Sequence, residues 1–103
     1  MATREHRKLG KQQYREMSTI VARVIAEWDP YALLAEGAPR NEFDAEIASV
    51  VAQIPRIASA TDATNVVSRV FSSSFEPDAF TPEVCAKVGK RLFAELESHG
   101  YLA

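Results

Sequence analysis

Along residues 11–28 the apolar positions Tyr14, Met17, Val21, Val24 and Trp28 recur at steps of three and four, with Ile20 and Ile25 beside them. At 100° per residue these positions cover about 140° of arc, which predicts a helix lying in a core rather than on its edge. Gly10 costs about 1 kcal/mol against Ala inside a helix. The pattern therefore leaves residues 1–9 either as a continuation of that helix or as a frayed N-terminal extension. Asp29-Pro30 ends the run, because proline disfavours α geometry at the residue before it. The same pair predicts a new start, with Asp29 as cap and Pro30 at the first helical position. A short helix from Pro30 to about Ala35 is expected to stop at Gly37, where a left-handed backbone is least strained.

Phe43, Ile47, Val50, Val51 and Ile54 predict the next main helix, with Asn41 or Asp44 able to cap it and Pro55 to end it. Ser59 and Asp62 form a shortened capping box for a helix starting near Ala60. Its face is Ala63, Val66, Val67, Val70 and Phe71, where helical spacing outweighs the strand preference of Val and Phe. Ser72-Ser73-Ser74 and Glu76-Pro77-Asp78 read as a connection. Thr81, Pro82 and Glu83 mark the clearest helix start in the chain. Val84, Cys85, Val88, Leu92 and Leu96 follow on one face with Phe93 beside them, and Gly100 is the stop. Outside that face, Glu83 with Lys87 and Arg91 with Glu95 stand four apart, the spacing of intrahelical ion pairs. No segment alternates long enough to demand a strand. The expectation is an all-α domain, four main helices in a bundle plus one short helix after the Trp28-Asp29-Pro30 corner.

A length of 103 residues allows one domain with one modest core. The apolar share of 47% and charged share of 25% exclude a disordered tail or a collagen-like repeat. A net charge of −2 argues against nucleic acid or acidic lipid as the main partner. That average hides a gradient. Residues 1–23 hold Arg4, Arg7, Lys8, Lys11, Arg15 and Arg23 against Glu5 and Glu16, a balance of +4. Residues 24–62 hold Arg40 and Arg56 against seven acids, a balance of −5. With no apolar leader after Met1 and no long apolar run, neither export nor a membrane span is expected. Cys85 has no second thiol to pair with, which fits a reducing cytoplasm.

Candidate chemistry is sparse. Glu42, Asp44 and Glu46 are two apart and diverge on a helix, so stabilising a helix start explains them better than acid/base work or metal binding. His6 and His99 stand far from each other and from Cys85, without zinc-ligand spacing. Cys85 sits on an apolar stripe with no base beside it, as a core thiol would. The three serines lack a nucleophile turn, and no glycine run could cradle phosphate. If the first helix runs back through Gly10, then Arg4, Lys8, Lys11 and Arg15 share about 60° of arc as a basic stripe. No catalytic residue, metal or cofactor is expected.

Trp28-Asp29-Pro30-Tyr31-Ala32-Leu33-Leu34, followed by Pro39-Arg40-Asn41-Glu42-Phe43-Asp44-Ala45-Glu46-Ile47, resembles the YugE-like family of small bacterial helical proteins of unknown function. The family pattern is W-D-P-hydrophobic-x-L, then a Pro, then [DN]-E-aromatic-D-x-E-I, with Asn41 standing where an acid is common. The resemblance implies a cytoplasmic bacterial protein with a four-helix fold, and it carries over no catalytic residue. Similar W-D-P segments in small bacterial proteins linked to immunity-like roles favour a protein-binding module.

Two features point the same way. The loop from Glu36 to Asp44, with Glu36, Arg40, Asn41, Glu42 and Asp44, presents negative charge to a basic protein partner. Tyr31, Phe75, Phe80, Tyr101 and Leu102 lie near helix ends, where a small core is expected to leave them uncovered for another chain. The partner is then a second copy or a separate protein. The competing class is a small-molecule-binding protein or enzyme using the acids around Asp29 and Glu42–Glu46.

Overall fold

The computed structural model describes the backbone of residues 2–39 and 41–102 and, Pro77 apart, the side chains of 11–39 and 41–102. Four helices account for the architecture: α1 Ala2–Trp28, α2 Asp44–Gln53, α3 Ala60–Ser74 and α4 Pro82–Ser98. No strand occurs among the described residues. Each helix packs on the next, and α4 returns to α1, closing a four-helix bundle in which α3 and α4 approach most closely.

Helix α1 runs through Gly10 unbroken. At 1.5 Å per residue its 27 residues span about 40 Å, against roughly 15 Å for α2 and 26 Å for α4. Its N-terminal half therefore extends past its neighbours. Among the described residues the buried run of α1 begins at Ile20 and continues through Val21, Val24 and Ile25. Tyr14, expected on the buried stripe, is 50% exposed for that reason. Val84 also departs from its predicted face: it lies in the first turn of α4, off the seam, and is exposed.

Start and stop chemistry explains most boundaries. Ser59 Oγ accepts from the Asp62 N–H at 3.1 Å, and the Asp62 carboxylate reaches back to the Ala58 N–H at 2.9 Å. Thr81 Oγ1 accepts from the Val84 N–H at 3.3 Å. Gly100, at φ 79°, ends α4 with its N–H on the Glu97 carbonyl and the Tyr101 N–H on the Leu96 carbonyl, both at 3.0 Å. A 3₁₀ turn, Ile54–Arg56, carries Pro55 and terminates α2. The start of α2 differs from expectation: neither Asn41 nor Asp44 caps it. Phe43 occupies that position and buries its ring in the core instead.

The α3/α4 seam depends on Gly89. A Cβ there would run into Thr64 Oγ1 and lie 2.5 Å from Thr64 Cα, so the two backbones meet where only glycine fits. Ser72–Ser74, read as linker, instead complete α3. Ser68 and Ser72 both donate to the Phe80 carbonyl, at 2.6 and 3.2 Å, and tie the connection after α3 back onto its own helix. On the surface, Arg23 pairs with Glu95 at 2.8 Å and Arg91 with Glu27 at 2.7 Å. Arg91 also stands 3.9 Å from Glu95. The predicted intrahelical pair is thus one link of a chain that joins α1 to α4.

Candidate functional site

The corner after α1 is built differently from the short helix the sequence suggests. Asp29, Tyr31 and Ala32 all adopt positive φ, at 45°, 61° and 55°, and Pro30–Ala32 is a single 3₁₀ turn. Asp29 caps no helix at Pro30. Its N–H prolongs α1 by bonding the Ile25 carbonyl at 2.8 Å. Its carboxylate accepts from the Leu34 N–H at 2.8 Å and the Ala35 N–H at 2.9 Å, five and six residues on. Hydrogen bonds to a charged acceptor offset the strain of a left-handed stretch. Gly37, at φ 101°, then reverses the chain with its N–H on Leu34 and the Ala38 N–H on Leu33.

That reversal lays Ala38 and the segment from Phe43 to Ile47 beside α1 and leaves an open groove of about 520 Å³ between them. Ile25, Ala26, Leu34, Ala38, Phe43 and Ile47 give it an apolar lining, and Arg23 and Asp44 supply its charged margin. Glu36, Asn41, Glu42 and Asp44 are all exposed, and none of the three acids makes an ion pair among the described residues. Arg40 lies outside the described residues. Glu46 turns inward, 8% exposed, and so does not join the acidic rim. Among the described residues no three His, Cys, Asp or Glu side chains gather as a metal-holding group.

The apolar residues expected to stand uncovered are mostly covered by their own fold. Trp28 packs edge-on against Phe71 at 5.1 Å and Phe80 at 5.8 Å, and Phe43, Phe75 and Tyr31 complete an aromatic pole. Phe80 is buried, and Phe75, Tyr101 and Leu102 are half-buried against the core; of that set only Tyr31 is exposed. Aromatics from the ends of α1 and α3, the start of α2 and two connections converge, which no single segment reveals.

A second cleft, of about 540 Å³, lies between α1 and the chain end, lined by Gln12, Gln13, Arg15, Glu16, His99 and Tyr101. The Tyr101 hydroxyl donates to the Glu16 carboxylate across it. His99 Nδ1 sits 2.8 Å from the Glu95 carbonyl in the last turn of α4. Cys85 is sealed in the core, and burial pushes its thiol up to about 11, so the sulfur stays protonated and inert at neutral pH.

Sequence reasoning found the acidic loop but not the groove behind it, whose wall exists only because Gly37 turns the chain. Small residues at Ala22, Ala26 and Ala38 leave the space that the groove occupies. Among the described residues the groove lining brings no hydroxyl, thiol or imidazole; what those residues offer a ligand is shape and charge.

Residues 20–99 match the model of a protein family described as a domain of unknown function, DUF1871. No curated protein and no solved structure matches the chain.

Proposed function

We propose that this chain, which belongs to the DUF1871 family of domains of unknown function, is a protein-binding module without chemistry of its own. It takes a basic, partly apolar segment of another chain into the groove that α1 forms with Leu34, Ala38 and the segment from Phe43 to Ile47. The observation that carries the reading is an apolar groove of about 520 Å³ with Asp44 on its lip and exposed Glu36 and Glu42 along the same segment. An apolar floor supplies affinity and the carboxylates steer and orient a cationic partner. On this reading the W-D-P motif of the YugE-like pattern is the device that forms the groove wall. The acids act as a surface, not as a catalytic pair.

A photoreactive residue placed at Ala38 tests this in the producing cell. Expected are protein adducts of defined mass that disappear when Glu42→Lys and Asp44→Lys are combined. A groove of this volume also falls within the range of small-molecule sites. Absence of protein adducts from Ala38, with a metabolite that saturably raises the melting temperature, would overturn the reading in favour of a ligand-binding protein.

A further inference from the structure

We propose that the groove's occupant is the N-terminal arm of a second copy of this chain, the two α1 helices pairing antiparallel about a two-fold axis near residue 17. The inference rests on the groove reading above and names its partner. It starts from a stretch of α1 that, among the described residues, no other helix covers. Residues 11–16, Gln13 apart, are exposed, and the family match begins at Ile20, where the buried run of α1 begins. A helical arm of under about 15 residues is marginal in water without packing. A second chain is the surface that would hold it.

The occupant follows from charge and register. At 100° per residue, positions 4, 8, 11 and 15 share a face of α1, and Thr19, Ala22 and Ala26 continue it. The continuation is the α1 wall of the groove. One face of a single helix thus carries a basic stripe in its first half and borders an acidic rim in its second. The segments they belong to balance at +4 and −5. Parallel pairing would set bases on bases. A two-fold near residue 17 sets position i opposite about 34 − i, so that 15 meets 19, 11 meets 23 and 8 meets 26. Lys8 and Lys11 then fall at the level of the α1 positions that line the groove together with Asp44. Arg23 is already held by Glu95 at 2.8 Å and does not leave the incoming stripe an uncompensated cation. Because the symmetry is closed, the contact is made twice and adds no open end for further association.

Charge exchange tests the arrangement by sedimentation equilibrium, with far-UV circular dichroism confirming that each variant is folded. Wild-type chain is expected at twice its 11.4 kDa mass at low salt, with a dissociation constant that rises at least tenfold between about 0.02 and 0.3 M salt. Lys8→Glu with Lys11→Glu, and separately Glu42→Lys with Asp44→Lys, should each be monomeric at the wild-type dimer concentration. An equimolar mixture of the two should regain the dimer, because both contacts become complementary again. Monomeric wild type, an arm variant as dimeric as wild type, or a mixture that stays monomeric would overturn the proposal. The Ala38 cross-link separates the two failures. An adduct of twice the chain mass supports self-pairing, an adduct with a different protein overturns self-pairing but keeps the groove reading, and no adduct removes both.

Discussion

Gly89→Ala sets two effects of known size against each other. In a helix interior Ala is favoured over Gly by about 1 kcal/mol, and the middle of α4 would ordinarily gain from the change. The α3/α4 seam opposes it. The new Cβ would stand 2.5 Å from Thr64 Cα and 2.7 Å from Thr64 N, whereas carbon atoms pack at about 3.5–4.0 Å. The helices must part by roughly 1 Å at their closest crossing, and Val67, Phe71, Cys85 and Leu92, all fully buried, lose contact as they do. Overpacking against backbone atoms, which cannot rotate away, belongs at the upper end of the ~1–3 kcal/mol range. Offset by the gain in propensity, a net loss of about 2 kcal/mol remains. For a domain of this size that is a fall in melting temperature of about 8–16 °C. Urea and thermal melts followed by far-UV circular dichroism measure it. Adding Thr64→Ala removes the Oγ1 obstacle but leaves the backbone atoms, so the double variant should recover less than half of the loss. Gly89→Ala at or above wild-type stability would refute the close backbone approach.

Asp29→Ala should cost about 1–3 kcal/mol, because it removes both acceptors that hold the Leu34 and Ala35 N–H groups. Asp29→Asn, which tolerates the left-handed backbone and keeps one acceptor, should cost clearly less; equal losses in urea melts would mean the corner is held some other way. Cys85 makes stability fall at alkaline pH. Its thiol ionises near its ordinary 9.0 when the chain is unfolded but only near 11 when folded, so the folded state holds the proton longer and loses stability as pH rises through that window. Melts of Cys85→Ala should show a shallower decline between about pH 9 and 11 than wild type, and identical slopes would refute the assignment.

The helices were legible because their signals are local. Thr81-Pro82, Ser59 with Asp62, Pro55 and Gly100 act within a turn of their own position, and the apolar stripe of α3 needs only its own spacing. Asp29 was misplaced because capping rules look two or three residues ahead, while its carboxylate reaches five and six. Tyr14 and Val84 fit their stripes by periodicity alone; whether a stripe position is buried depends on how far the neighbouring helix extends. No local pattern in α4 singles out Gly89, and only the position of Thr64 on another helix shows why it is required. Of the candidate site, the exposure of Glu42 and Asp44 followed from their place at a helix start. The groove did not, since its two walls come together only once the chain has reversed at Gly37.

The aromatic pole has a spectroscopic consequence. Trp28 is the chain's single tryptophan, and it stands edge-on to Phe71 and Phe80, at the junction of α1, α3 and the connection before α4. Its fluorescence therefore reads one place only, the closure of that junction. The amide absorption that gives circular dichroism weights every helical residue equally, including the half of α1 that lies remote from the pole. The protein thus carries two optical clocks on one chain, and the interval between them measures how far the arm and the body melt as separate units.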